Sequence, residues 1–563
     1  MFNKILLVPG LIAFMAHIPI IGQSPKPATS TEIAISEVLA RVLDYNERIQ
    51  IKMLETEISE KQISAERGIF EPAVVGSFEA TDNQRKNSQE QQAQQFFNQV
   101  FDERNKTYGG GLEFLAPTGA RLRLGYNLRD LSNNLNKGAN EFASTMGLTL
   151  TQPLLKNAGT AAVMARIRLA AINSDIAFQD YRRELMTVIA RAEASYWDLY
   201  LTQEQERISR ESVSVAERLL QDNKARLEVG KSSELEVMQA EAGLALRRSR
   251  RSEAAQKLAE AASVLNSLLS TSPTDRAIPV RAVSQPVVDE AIADYIESYR
   301  AAFDQNPDYL GRRHAVLSEN IRLAYAKNQR RPELDLKASY GMNGLGASPG
   351  ASFDDIASGD FPSGSVGLEL RVPLSGGIKE RNEYAAAKLS KQKSLLALKE
   401  VEVQIVNSLD TAILKVTNQR ESSKNYEAVA KFHEQLLHTE LARLDVGKTD
   451  SRTVLETEEK LFEARISTLD AVIRFQKARL ELELVQGSSL VNRGVELKKS
   501  ELQRKTMQMV ADNRFQGARL DQLKVQIQRA YENKPTPNPL RQQEDERLLR
   551  QKIQELRQQD AAK

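Results

Sequence analysis

The sequence predicts a mainly α-helical, internally duplicated fold with a membrane β-barrel part. Three observations carry that expectation: a helix-turn signature that occurs twice, two long stretches free of proline, and short segments in which apolar and polar residues alternate. The first signature reads Arg226-Leu227-Glu228-Val229-Gly230-Lys231, followed by Val237-Met238-Gln239-Ala240-Glu241; the second reads Arg443-Leu444-Asp445-Val446-Gly447-Lys448, followed by Val454-Leu455-Glu456-Thr457-Glu458. The offset is 447 − 230 = 217 residues. A glycine between two helical stretches supplies the left-handed conformation that ends one helix and lets the next begin. Two such turns in matching contexts are the mark of a repeated architecture.

Further anchors extend the repeat. Asn46 and Pro72 in the first half match Asn306 and Pro332 in the second, both at an offset of 260. Gln152-Pro153-Leu154 matches Val372-Pro373-Leu374 at an offset of 220, so the first half carries about 40 extra residues between Pro72 and Pro153. Each half reads as a short helix, Pro, a strand-like region, Pro-Leu, a very long helix, the Gly turn and a shorter helix.

Proline is costly inside a helix, by about 3 kcal/mol. None occurs between Pro153 and Pro273 or between Pro373 and Pro535. Within those gaps Leu185, Val188, Ala192, Tyr196 and Leu199 follow spacings of 3, 4, 4 and 3, and Leu398, Val401, Ile405, Leu409, Ala412 and Val416 follow 3, 4, 4, 3 and 4. That is the seam of a coiled coil. The long helices are expected from about Asn157 to Val229 and from Ile378 to Val446, each on the order of 100 Å long.

Alternation of period two marks the strands. Val74, Gly76 and Phe78, then Met146, Leu148 and Leu150, then Leu334, Leu336 and Ala338, and finally the run Val366 to Val372 each interleave apolar and polar residues. In a secreted chain such segments fit barrel strands with one face to lipid and one to a polar interior. Open sheet edges do not sit in lipid, so strands this few must close a barrel between chains. The extra residues hold a further hairpin: Tyr108 to Phe114, a turn at Ala116-Pro117-Thr118-Gly119, and an arm in which Leu122, Leu124, Tyr126 and Leu128 alternate with Arg121, Arg123, Asn127 and Arg129. It either extends the barrel above the membrane or adds two strands per chain. Residues 81–106, rich in Gln and Asn, read as an exposed loop.

Composition limits the function classes. The 563 residues are 27% charged and 41% hydrophobic, with a net charge of +2 and no Cys. Disulfide and thiol chemistry are therefore excluded, and there is no nucleic-acid signal. The start Met1-Phe2-Asn3-Lys4, the apolar stretch Ile5 to Gly22 and the exit Gln23-Ser24-Pro25 read as a secretory signal peptide. The expected layout is a signal peptide at 1–23, ending between residues 22 and 30. A first repeat follows at 32–270, with strands near 73–80 and 144–152, the hairpin at 107–129 and a helical hairpin at 157–266 turning at 230. After a linker at 271–288 comes a second repeat at 289–487, with strands at 333–340 and 364–373 and a helical hairpin at 376–486 turning at 447. A polar, partly helical or disordered extension fills 488–563.

No catalytic, cofactor or metal constellation emerges. Gly346-Ala347-Ser348-Pro349-Gly350 matches a nucleophile-elbow pattern, but Pro349 has no N–H to donate to an oxyanion. Gly109-Gly110-Gly111 is not followed by the Lys-Ser/Thr of a phosphate loop. His433 and His438 are five apart and face different sides of a helix.

Taken together, the repeated Val-Gly tips, the Pro-Leu exits at Gln152-Pro153-Leu154-Leu155 and Val372-Pro373-Leu374, and the Asn306-Pro307 to Pro332 stretch resemble the TolC family of outer membrane efflux proteins, over roughly residues 32–487. The resemblance implies a TolC-like homotrimer in the cell outer membrane. Each chain would give four strands to a twelve-stranded β-barrel embedded in outer-membrane lipid, above a long periplasmic α-helical tunnel. It implies a passive conduit of a tripartite efflux or type I secretion system, with no enzyme activity and no cofactor. The partners would be a periplasmic adaptor (membrane fusion) protein and an inner-membrane pump of RND or ABC type, with no nucleic acid. The tips Val229, Gly230, Lys231 and Val446, Gly447, Lys448 resemble adaptor-docking turns. The family's acidic gate positions fall on Glu236, Thr453 and Glu456, so the acid is kept at two of three. Leu444 stands where the family's best-known member has a latch Tyr. The competing readings are a non-pore periplasmic coiled-coil scaffold and the adaptor subunit itself, which would carry one hairpin between lipoyl-like β halves.

Overall fold

The computed structural model describes residues 31–94, 100–134, 141–230, 233–269, 280–289, 294–446, 448–495 and 497–512. The signal-peptide assignment, the linker up to residue 279, Lys231, Gly447 and the extension beyond 512 lie outside the described residues.

The chain begins with a short strand β1 (Thr31–Ile33) and helices α1 (Ile35–Tyr45) and α2 (Glu47–Arg67), then strand β2 (Ala73–Lys86) and a short helix α3 (Gln89–Gln94). Strands β3 (Val100–Leu115), β4 (Arg121–Leu131) and β5 (Glu141–Pro153) follow, then helices α4 (Thr160–Val163), α5 (Ala165–Glu228) and α6 (Glu234–Leu268). The second half holds β6 (Val280–Ala282), α7 (Tyr295–Gln305), α8 (Pro307–Gln329), β7 (Glu333–Gly346), α9 (Pro349–Ser358), β8 (Pro362–Arg371), α10 (Ile378–Asp445), α11 (Ser451–Gln486) and α12 (Lys499–Ala511). Among the described residues, no helix is long and apolar enough to cross a membrane.

β2, β3, β4, β5, β7 and β8 form one six-stranded sheet in that order, every neighbouring pair antiparallel. Of the two alternatives for the hairpin at 107–129, the structure shows the added strands: it lies inside the sheet and supplies its second and third strands. Residues 81–86 and 100–106 depart from the loop expected over 81–106. Lys86 pairs with Val100 and Ala80 with Lys106, so the polar stretch continues both strands upward. Alternation failed as a signal there because neither face of those rungs is apolar. Asp82 and Glu103 on adjacent strands meet Arg104 and Asn83 instead.

The register aligns the apolar residues of all six strands on one face. Val74, Leu112, Leu124, Leu148 and Tyr340 occupy one rung, and Phe114, Leu122, Leu150, Ala338 and Val366 the next. These side chains are open to the surroundings; Val74 is 83% exposed and Val366 79%. The opposite face carries Glu113, Arg123, Thr149, Ser339 and Ser365 on a single rung. Gly111, Gly125, Gly147 and Gly341 form a row on that polar face. A Cβ at Gly341 would lie 2.6 Å from the Met146 carbonyl oxygen, and one at Gly147 would lie 2.8 Å from that of Tyr340. At Gly111, Gly147 and Gly341 the strands approach too closely for a side chain, whereas Gly125 has room for one.

Below the sheet, α2, α5, α8 and α10 pack side by side in that order. Farther along, α5 and α10 pack against α6 and α11. The core lies midway, where Leu185, Val188, Ala192, Tyr196 and Leu199 are buried beside the parallel pair β1–β6. The Tyr196 hydroxyl donates to the Ile33 carbonyl (3.2 Å) and accepts from the Ser284 N–H (2.8 Å). The two Asn anchors make matching contacts. Asn46 caps α2 through the Arg48 N–H (3.1 Å) and donates to the Leu268 carbonyl (3.2 Å). Asn306 caps α8 through the Asp308 N–H (2.9 Å) and donates to the Val485 carbonyl (2.9 Å). Each ties the start of one helix to the end of a returning one, satisfying terminal groups that a helix leaves open.

Gly147→Val and Gly341→Val are each expected to lower sheet stability by about 1–3 kcal/mol. Gly367→Val, on the same polar face with nothing within 4 Å, is expected to leave it unchanged. Unfolding of the three variants followed by circular dichroism checks this; equal midpoints would contradict the close strand approach.

Candidate functional site at the helical tips

α5 descends from the sheet and stops at the first Gly turn. Val229 leaves helical geometry, Gly230 takes φ 69°, and its N–H bonds the Leu227 carbonyl at 2.9 Å. The second turn closes by a different bond, from the Lys448 N–H back to the Arg443 carbonyl at 2.9 Å, the six-to-one closure of a Schellman turn. Val229 and Val446 are each 67% exposed, two apolar side chains at the ends of α5 and α10 with no described residue covering them.

The helices that leave the turns are capped by the same spacing. Ser233 accepts from the Glu236 N–H at 3.3 Å, and Asp450 accepts from the Thr453 N–H at 2.9 Å and its hydroxyl at 2.6 Å. Glu236 and Thr453 therefore both occupy the third position of a capped helix, where a capping box and the helix dipole favour an acid. The Thr453 hydrogen bonds hold the Asp450 carboxyl below its ordinary pKa. With a folded value lowered this way, the cap's stabilisation is complete above the ordinary aspartate range and lost as pH falls through the folded value. Glu456 pairs with Arg452 at 2.8 Å, both well exposed, and lines a groove between α6 and α11 with Gly243, Arg250 and Glu459. Glu236 does not line that groove.

Leu444 is 5% exposed and packs with Leu219 and Val454. Its carbonyl accepts from the Arg226 guanidinium at 3.4 Å. The two hairpins are thus held at this level by apolar packing, where the family resemblance places a tyrosine latch. Ser451 donates to the Asn223 side chain at 2.7 Å, both buried, joining α11 to α5.

A buried polar link between the hairpins lies a few turns back from the tips. Arg247 of α6 donates through Nε to Glu458 of α11 at 2.8 Å, and its second terminal nitrogen bonds the same carboxylate. Ser212 of α5 donates to the other Glu458 oxygen at 2.6 Å, and Arg247 also reaches the Leu455 carbonyl at 3.3 Å. The Arg247 and Glu458 side chains are 5% and 7% exposed. Arg250 pairs with Glu459 beside them. In the sequence Arg247 carries no signal of its own, and Glu458 stands out only as a repeat marker. Its counterpart at the 217-residue offset, Glu241, stays at the surface with Lys224 at 2.8 Å. Arg247 sits in a run with Arg248, Arg250 and Arg251 that reads as a solvated face. Only Gly243, one turn earlier, hints at close helix packing. Among the described residues no group of three His, Cys, Asp or Glu could hold a metal ion. Ser348 of the elbow-like motif is the N-cap of α9, accepting from the Ala351 N–H at 3.2 Å with Pro349 at the first helical position.

Truncation of one partner strands a buried charge, so Arg247→Met is expected to cost about 3–5 kcal/mol. Pairing it with Glu458→Leu is expected to restore most of that loss. Thermal unfolding of the single and double variants checks the coupling; additive losses would mean that the two side chains do not act as a pair.

A model of the Outer membrane efflux protein family matches residues 119–271 and 299–488, more than half of the chain. No curated protein sequence matches the chain. Among solved structures, the fold is similar to the CmeC outer membrane channel of Campylobacter jejuni (16% identity, TM-score 0.59, covering 88% of this chain and 97% of that one). It is also similar to the outer membrane protein VceC of Vibrio cholerae (14%, TM-score 0.57, 80% and 96%) and to the open state of the Neisseria gonorrhoeae MtrE outer membrane channel (16%, TM-score 0.54, 81% and 88%).

Proposed function

The chain belongs to the outer membrane efflux protein family, and on that premise we propose that it is the outer-membrane channel of a tripartite efflux or type I secretion system, a passive conduit from periplasm to exterior. Proteins of this family are channels and not enzymes; they sit in the outer membrane with their helices in the periplasm.

The observation that carries the proposal is that both layers of the molecule are open at the same two edges. In the sheet the edge strands are β2 and β8; in the helical layer beneath, the edge helices are α2 and α10. α2 runs into β2 and β8 runs into α10. The edge helices expose apolar residues at heptad spacing: Ile51 and Ile58 on α2, and Leu389, Leu396 and Val403 on α10. Such stripes are the seams by which helices pair. β2 ascends and β8 descends, so copies placed side by side pair antiparallel throughout, and repetition closes both a barrel and a helical tube. A homotrimer is the assembly the family resemblance implies. The internal duplication then gives each protomer two tips, at Gly230 and Gly447.

At the far end the exposed Val229 and Val446, flanked by Lys231 and Lys448, form the docking surface for a periplasmic adaptor (membrane fusion) protein, which in turn engages an inner-membrane pump of RND or ABC type. Opening requires α6 to part from α11. The Arg247–Glu458–Ser212 cluster holds the closed state, and Glu236, Thr453 and Glu456 lie at the constriction beneath it. The second reading, a periplasmic coiled-coil scaffold without a pore, lacks any use for a six-stranded sheet with one apolar face.

Val229→Asp combined with Val446→Asp is expected to abolish export while leaving heat-modifiable trimers in the outer-membrane fraction. Unchanged export would overturn the docking assignment, and recovery of the wild-type protein in the soluble periplasm would overturn the channel reading. Glu458→Gln is expected to raise basal conductance in planar bilayers several-fold; conductance equal to wild type would remove the cluster from the gate.

A further inference from the structure

Resting on the channel reading above, we infer that the barrel closed by three copies has eighteen strands, three times six, and that the hairpin β3–β4 sets the width of its outer mouth. Nothing in the twelve-stranded expectation accounts for this hairpin.

Three features place it in the wall. First, β3 and β4 are bonded on both sides over most of their length, from Ala73–Glu113 to Lys86–Val100 on one flank and from Arg121–Thr151 to Leu131–Glu141 on the other. A hairpin projecting above the membrane would leave β2 paired with β5. Second, the outer face of the hairpin carries Leu112, Leu124, Phe114 and Leu122 on the same rungs as Leu148 and Leu150 of β5. The apolar band therefore runs unbroken through the inserted strands, as a lipid-facing surface must. Third, its lower turn is seated on the helical layer. The Thr118 carbonyl accepts from the Gly159 N–H at 3.1 Å and from the Gln152 side chain at 3.3 Å, and Ala120 is 6% exposed. β3 and β4 are thus two strands that end in a turn on top of the helices, with no helix continuing below them.

The hairpin also preserves strand direction. β2 ascends, β5 descends, and inserting one descending and one ascending strand between them leaves the edges β2 and β8 opposed. With about 4.8 Å between strands and a tilt of about 40°, eighteen strands span a circumference of about 110 Å and a diameter of about 36 Å, against about 24 Å for twelve. Four helices per chain in three copies, at about 9 Å between axes, also span about 110 Å. The wider sheet therefore meets the helical tube without a step, and the barrel imposes no size limit beyond that of the tube. The hairpin makes this a conduit whose outer end passes bulky cargo.

Deletion of Val100–Asn134 removes the hairpin and joins β2 to β5 at the same end of the sheet. The deletion trimer is expected to exclude polymers added from the outer side at a diameter about one third smaller than the full chain does, read from conductance in planar bilayers with polyethylene glycols of graded size. An unchanged cut-off in a conducting deletion trimer overturns the inference while leaving the channel reading standing. Failure of the full chain itself to form conducting trimers overturns the channel reading. A second measurement keeps the hairpin testable should the deletion not assemble. In the Cys-free full chain, Leu124→Cys is expected to resist a membrane-impermeant charged maleimide and to accept a lipid-soluble one, as Leu148→Cys does. Arg123→Cys is expected to accept the charged reagent through the lumen. Labelling of Leu124→Cys by the charged reagent would place the hairpin outside the wall and overturn the inference.

Discussion

The constraint on which the rest depends is that backbone N–H and C=O groups in hydrocarbon must be satisfied by the protein itself. A six-stranded sheet with an apolar face and two free edges violates it alone. The edges need partners, and on the channel reading proposed above copies of the chain supply them. The helical layer obeys a matching demand from water: Leu389, Leu396 and Val403 form an apolar stripe that a lone soluble helix would not keep. Both demands fall on the same two edges because each edge strand is covalently continuous with an edge helix.

Length creates a second problem, since rods of 64 and 68 residues cannot be held by one compact core. The structure spreads its anchoring along the rods. The tyrosine and β1–β6 collar fixes the middle, and the two Asn bonds fix where helices return to it. Buried charged pairs add to the apolar packing at both levels: Arg493 with Glu193 and Glu483 beside the collar, and Arg247 with Glu458 near the tips. A buried ion pair adds little net stability over apolar packing, but breaking it is costly and all-or-none in character. That suits the gating role proposed above, a joint that holds firmly in one arrangement and releases in another.

Much of this is legible in the sequence. Leu185 to Leu199 lie on the buried seam that their spacing indicated, the Val-Gly signatures sit at the helix turns, and Val74, Leu148 and Val366 share the apolar face that alternation assigned to them. These are local signals, written in periods of 3.6 and 2 and in the conformational needs of Gly and Pro. The strand extensions over 81–86 and 100–106 are hidden because their rungs are dominated by polar and charged residues on both faces. Leu444 could be marked as a departure from a latch, yet its packing against Leu219 required a partner 225 residues away.

The sequence by itself determined most of the elements and their order, because each is encoded within a window of one helix or one strand. Tertiary structure decided what no window contains. It chose β2 and β5 as the flanks of the inserted hairpin, and it buried Glu458 while leaving Glu241 in solvent. It set Ser212, Arg247 and Glu458 from three helices around one carboxylate. Period and propensity state which way a side chain faces; only packing states what it meets there.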